Sequence, residues 1–129
     1  KILQARKPDN FVLGTGESHS VREFLETALR YAGIVISWKG KGAALKGAVK
    51  DLTTSIARRS GLKPGDAIIK IDPRYFRPAE VDLLLGDCSK AKEKLGWTAS
   101  TSIEELAKLM VDHDLNLARE EAILAAARK

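Results

Sequence analysis

Ser20-Val21-Arg22-Glu23-Phe24-Leu25-Glu26-Thr27-Ala28-Leu29-Arg30-Tyr31-Ala32-Gly33-Ile34-Val35-Ile36-Ser37-Trp38 decides the fold class. Ser20 with Glu23 three residues later is a capping box, in which each side chain serves the other's backbone N–H. Val21, Phe24, Leu25, Ala28 and Leu29 recur at steps of three and four, so they share one helical face. Gly33 stops the helix, and the β-branched run from Ile34 to Trp38 then reads as a buried strand. Just upstream, Phe11-Val12-Leu13 is a second β-prone run, ending in Gly14-Thr15-Gly16, a turn where φ goes positive without steric cost. The resulting strand–helix–strand unit predicts an α/β or α+β packing, a small mixed domain of short strands and helices.

Further elements follow in order. Gly40 to Gly47, rich in glycine and lysine, reads as loop, and Val49 to Arg59 as a short helix ending before Gly61. Lys63-Pro64-Gly65-Asp66 is a turn, and Ala67 to Ile71 a strand. Leu83-Leu84-Leu85 reads as a buried run before a turn at Gly86-Asp87. Ser89 is the expected cap of a helix through Leu95 that Gly96 closes, with Trp97 packing back on it. Ser102 and Glu105 form another capping box, opening a final helix whose apolar stripe is Ile103, Leu106, Ala107, Met110 and Val111. Its tail from Arg119 to Lys129 is expected to run on as exposed helix or to fray.

With 129 residues, 44% of them apolar, the chain fits one domain, residues 1–129, with a modest core. No apolar run approaches the roughly 18 residues of a membrane span, and no export signal is recognisable, so the expectation is a cytoplasmic protein without membrane contact. The chain opens on Lys1-Ile2-Leu3-Gln4 without Met, which reads as a piece of something longer or as the result of processing. Cys88 is the single cysteine, and His19 and His113 stand far apart in no metal-binding pattern, so no disulfide and no metal site are expected. A lone Cys after an apolar run reads as a small buried hydrophobe rather than a nucleophile. The net charge of +5 concentrates between Lys39 and Lys63, where Lys39, Lys41, Lys46, Lys50, Arg58, Arg59 and Lys63 face only Asp51. Without aromatic interleaving after Trp38 this favours a solvated basic loop over nucleic-acid binding. The Gly14-to-Ser20 stretch opens a helix but lacks the spacing of a phosphate loop or dinucleotide fingerprint, and Glu17, His19 and Ser20 are too close in sequence to form a triad.

The chemistry-bearing stretch is Asp72-Pro73-Arg74-Tyr75-Phe76-Arg77-Pro78-Ala79-Glu80. Pro73 and Pro78 each fix φ and remove a backbone donor, so the residues between them form a stiff turn that presents Arg74, Arg77 and Glu80. Two readings stay open on spacing. Arg and Glu pair with each other on a solvated surface, or a guanidinium forks onto phosphate oxygens while the carboxylate accepts from sugar hydroxyls.

Longer strings carry a resemblance. Phe11 through Phe24, Ile36-Ser37-Trp38-Lys39-Gly40-Lys41-Gly42, Asp72 through Asp87, and Lys90 through Trp97 resemble, in that order, the carboxy-terminal part of the GDP-mannose 4,6-dehydratases, members of the extended short-chain dehydrogenase/reductases. The resemblance implies a substrate-binding lobe. In that family an amino-terminal Rossmann half holds NADP and the catalytic Tyr, Lys, Glu and Ser/Thr, while the carboxy-terminal part closes over the GDP-sugar. The whole enzyme, a lyase of GDP-fucose biosynthesis, turns GDP-mannose into GDP-4-keto-6-deoxymannose by oxidation at C4, loss of water across C5 and C6, and return of the hydride to C6. By the same resemblance Arg77 holds the pyrophosphate and Glu80 a ribose hydroxyl, with Arg74 and Tyr75 near the nucleotide.

This chain contains no GxGxxG, and neither Tyr31 nor Tyr75 has Lys four residues on. It is therefore expected to hold no cofactor and no catalytic residue of its own, and to bind GDP-mannose or GDP weakly. Expected macromolecular partners are a Rossmann domain or further copies of the chain. One departure from the family pattern is noted: residues 43–70 look longer than the crossing in relatives, as an insertion or loop. The alternative from another class is a stand-alone interaction or oligomerisation module derived from this lobe. A nucleic-acid role for Lys39 to Lys63 predicts steep salt dependence and no effect of Arg77→Ala.

Overall fold

The computed structural model describes residues 1–77 and 84–128. Helix α1 spans Val21–Tyr31. Ser20 Oγ accepts from the Glu23 N–H at 3.1 Å, the first half of the expected capping box. The second half is replaced, because the Glu23 carboxylate turns to His19 Nδ1 at 3.1 Å. Gly33 ends the helix at φ +87°, and its lack of a side chain is required twice over. An added Cβ would lie 2.8 Å from Thr54 Cβ and closer still to Thr54 Oγ1. That hydroxyl is in use: it donates to Ala32 O at 3.2 Å and accepts from Ala57 N at 3.1 Å, capping the short helix α2, Ser55–Arg58. Thr53 N–H also donates to Gly33 O at 2.8 Å, which joins the two corners.

Three antiparallel strands, β1 Ile34–Lys39, β2 Lys46–Leu52 and β3 Ala67–Lys70, lie in that spatial order. Gly47 stands opposite Trp38 on one side and Ile69 on the other. A Cβ on Gly47 would sit 3.0 Å from Ile69 Cδ1 and 3.3 Å from Trp38 Cζ3, so its absence lets both side chains close over the central strand. Trp38 donates from Nε1 to Glu26 at 2.6 Å, and the Arg22 guanidinium lies 4.8 Å from its ring centroid. These contacts place α1 against the Trp38 face of the sheet. The adjacent row, Lys39 opposite Lys46 opposite Lys70, points to the other face because successive residues alternate.

The small mixed α/β class read from the sequence is the one observed, with corrections to its parts. Phe11–Leu13 joins no sheet, so the unit expected as strand–helix–strand is helix–strand. Residues 49–52, expected as helix, belong to β2; only Ser55–Arg58 of that stretch is helical. Lys46 and Gly47, expected as loop, open the central strand. Residues 43–70 thus carry two of the sheet's three strands. Leu84 and Leu85, expected to bury, are 80% and 57% exposed.

Helix α3, Ser89–Leu95, is closed by Gly96 in the left-handed conformation as expected, and Trp97 N–H returns to Ala91 O. Its first turn is served by Asp87 Oδ1, which accepts from Ser89 N–H at 2.9 Å, rather than by Ser89 itself. Lys90 Nζ reaches Asp9 at 2.6 Å and lies over the Phe11 ring, while Lys1 Nζ donates to Gly96 O at 2.8 Å. The N-terminal segment is thereby strapped along α3. Helix α4, Ile103–Ala127, opens on the full Ser102–Glu105 capping box and packs against α1. Tyr31 Oη and Lys108 Nζ both donate to Asp112, at 2.9 and 2.7 Å. At about 1.5 Å per residue α4 outruns α1 by some 20 Å, and Leu117, Ile123 and Leu124 on its far half are exposed.

The core is thin. Among the described residues the buried apolar side chains are Ala48, Val49, Ala57, Ala91 and Ala107, joined by Gly33 and Gly47, and Val49 is the largest of them. The chain exposes 10531 Å², where a compact monomer of 14.1 kDa exposes about 6,700 Å². No helix among the described residues is long and apolar enough to cross a membrane.

Candidate functional site

Strand β3 delivers the chain to Ile71 and Asp72, and a single 3-10 turn, Pro73–Tyr75, follows. Pro73 suits the first turn position, where its missing N–H removes no bond. Asp72 precedes it in extended conformation and caps the turn, accepting from Arg74 N–H at 3.0 Å. The same carboxylate holds the Arg74 side chain: Nε lies 3.1 Å from each oxygen, and Nη2 2.5 Å from Oδ2. Such a fork fixes a long side chain in one orientation. Accordingly, the Arg74 side-chain bonds, then its backbone N–H, hold the Asp72 carboxyl below the usual carboxylate range, and the ion pair raises Arg74. Arg74 also lies over the Tyr75 ring at 5.5 Å from its centroid.

The structure places Arg74 and Tyr75 on one exposed turn opened by Pro73, with exposed Arg77 just beyond it; Pro78 lies outside the described residues. Tyr75 is 77% exposed, so its ring is presented to solvent on the side Arg74 leaves open. Phe76 reaches back toward the Gly42 turn, its ring tip 4.0 Å from where a Gly42 Cβ would be, which anchors the turn to the β1–β2 connection. Glu80 lies outside the described residues. Asp72 is the functional residue missed by the sequence reading, although its place immediately before a proline is the usual position of a turn-capping carboxylate.

Other candidates resolve differently. Beyond the Gly14–Gly16 turn, His19 sits 3.5 Å from Glu17 and 3.1 Å from Glu23. The hydrogen bond to Glu23, then Glu17, raises the His19 pKa. Ser20 Oγ is committed to helix capping. This end of α1 is thus suited neither to phosphate nor to nucleophilic chemistry. Cys88 is half-buried, with Sγ 3.5 Å from Gly86 O. It lines an open cleft of about 450 Å³ with Gly14, Gly16, Asp87, Lys92 and Trp97, and no residue of the Asp72–Arg77 turn reaches that cleft. No group of three or more potential ligands gathers to hold a metal among the described residues.

Residues 1–110, which include the turn, match the family model of GDP-mannose 4,6 dehydratase. The chain belongs to the GDP-mannose 4,6-dehydratase family. It is 45% identical over 123 residues to the GDP-mannose 4,6-dehydratase of Vibrio cholerae, covering 95% of this chain and 32% of that protein. It is likewise 45% identical over 125 residues to that of Yersinia enterocolitica, covering 97% and 33%. GDP-mannose 4,6 dehydratase 1 of Arabidopsis thaliana is 42% identical over 126 residues, covering 98% and 27%. The chain therefore spans about a third of the length of these relatives. Family membership covers α1, the whole sheet, the Asp72–Arg77 turn, α3 and the first part of α4.

Proposed function

We propose that this chain supplies the GDP-sugar-binding portion of a GDP-mannose 4,6-dehydratase, with the Arg77 guanidinium on the diphosphate and the Glu80 carboxylate on a ribose hydroxyl. The observation that carries this reading is the Asp72–Arg74 fork. It gives Arg74 a structural task, that of stiffening the turn that leads into Arg77. Tyr75 then offers a ring beside the nucleotide. A stiff exposed turn that brings a cation to a phosphate needs little ordering on binding, which is where preorganisation raises affinity.

The hydride chemistry of such an enzyme resides in NADP and in a proton-transferring side chain nearby. The residues described here do not fit that cofactor. The one glycine turn that opens a helix is flanked by Glu17 and Glu23, and its Ser20 is already engaged. Catalysis is accordingly assigned to another segment or chain. The excess of exposed surface supports a large covering partner, for which a Rossmann domain is the family's candidate. The same excess supports the alternative, self-association of this lobe as an interaction module.

Calorimetric titration with GDP and GDP-mannose tests the reading. Saturable binding is expected, and Arg77→Ala should weaken it roughly ten- to hundredfold, the worth of a lost charge-assisted contact. Unchanged affinity in Arg77→Ala overturns the assignment. Copurifying NADP would overturn the division of labour. Absence of nucleotide binding together with a defined oligomer by light scattering would favour the interaction module.

A further inference from the structure

A second basic feature lies outside that turn. The strand register sets Lys39 directly opposite Lys46, and Lys46 directly opposite Lys70, so three lysines cross the sheet in one row on the face away from Trp38. All three are exposed. Strands lie about 4.8 Å apart, which makes the row roughly 10 Å across. Like charges directly opposite each other destabilise a sheet. Relief by an acidic neighbour is expected, yet among the described residues none of the three ammonium groups forms a salt bridge or hydrogen bond. Two residues along from Lys39 and Lys46 stand Ser37 and its partner Ala48, both small.

We propose that Lys39, Lys46 and Lys70 form a binding site for compact oligophosphate anions, distinct from the Arg77 site. The row concentrates three point charges within a short span, and lysine binds phosphate in that manner without the planar geometry an arginine fork demands. A short phosphate chain carries several negative charges over a comparable span. Single-stranded nucleic acid fits less well, because it needs aromatic faces on which bases stack. Trp38 is on the opposite face under Arg22 and the Tyr75 ring carries Arg74, which leaves Phe76, against the β1–β2 connection, as a single ring rather than a stacking platform. The unrelieved repulsion in the free protein is the signature of a site tuned for a ligand at some cost to stability.

The test uses the whole chain, inorganic pyrophosphate and tripolyphosphate as probes, and the triple variant Lys39→Gln/Lys46→Gln/Lys70→Gln. In an amide chemical-shift titration pyrophosphate should saturably move the Lys39, Lys46 and Lys70 signals. Read at the row signals, the triple variant should lose more than about tenfold in affinity, while the same signals should titrate whether or not the turn site is occupied by GDP. Without ligand the triple variant should melt above the parent at low salt, with the gap closing near 1 M salt as screening shortens to about 3 Å. Signals of positions 39, 46 and 70 that still titrate saturably in the triple variant overturn the proposal, as does a parent whose row signals do not move. Row signals that stop moving in Arg77→Ala also overturn it and place the anion at the turn. Retained row binding with GDP affinity unmoved by Arg77→Ala defeats only the nucleotide-sugar assignment. A single-stranded oligonucleotide that saturates the row below the tripolyphosphate concentration transfers the site to nucleic acid and overturns the oligophosphate reading.

Discussion

Gly33→Ala probes the corner on which α1, β1 and α2 meet, and its cost can be assembled from the structure. Gly33 sits at φ +87°, where an L side chain costs about 1–2 kcal/mol. The new methyl would lie 2.8 Å from Thr54 Cβ, and forcing such an overlap apart costs about 1–3 kcal/mol. If Thr54 moves to make room, its Oγ1 leaves Ala57 N–H and Ala32 O, a lost helix cap worth about 1 kcal/mol. The total, roughly 3–6 kcal/mol, is a large share of the roughly 5–15 kcal/mol that stabilises an ordinary domain, and this domain has a thin core. Urea unfolding followed by tryptophan fluorescence and circular dichroism reads the change. A second substitution separates the causes: Thr54→Ala is mildly destabilising by itself, but in the double variant it removes the overlapping hydroxyl and methyl. The two changes should therefore couple by more than about 1 kcal/mol, in the direction of recovery. A Gly33→Ala protein within about 0.5 kcal/mol of the parent would refute the reasoning, and strictly additive variants would refute the part assigned to Thr54.

Two further outcomes are expected. Asp72→Ala removes both the turn cap and the fork that holds Arg74, so GDP affinity should fall while the circular dichroism spectrum is unchanged; affinity equal to the parent's would show that the turn needs no lock. His19 has its folded pKa raised, chiefly by Glu23, above the ordinary value of 6.5. Its contribution to stability is accordingly full below about pH 6.5 and is lost as the pH rises through the folded value. Melting temperature should decline over that window in the parent and stay flatter in His19→Gln, and parallel profiles would remove His19 from the account.

Features legible in the sequence were those decided locally. The Ser102–Glu105 box and the Gly96 closure depend on residues within one helical turn of each other, and both formed as read. β2 was not legible, because Lys46-Gly47-Ala48-Val49-Lys50-Asp51-Leu52 has no strong strand propensity. It becomes a strand by lying between two partners, with Gly47 making room for Trp38 and Ile69. Phe11-Val12-Leu13 fails for the converse reason, having the propensity without a neighbouring strand. Leu84 and Leu85 are apolar yet exposed because hydropathy reports a preference for burial and does not say against what. At the site, Pro73 opens the turn that carries Arg74 and leads to Arg77, as read, while Pro78 and Glu80 lie outside the described residues. The partner of Arg74 is Asp72, two residues away, rather than a glutamate across the turn, since a carboxylate that already caps the turn needs no further ordering to receive the guanidinium.

The uncovered surface has a consequence for how this chain melts. Denaturant sensitivity and heat-capacity change both scale with the area newly exposed on unfolding. A folded state that already shows 10531 Å² to water has less left to expose than its length suggests. Its transition should be shallow in urea and broad in temperature. Docking against a covering partner would steepen both, so sharp, cooperative unfolding would belong to the assembly more than to the lobe.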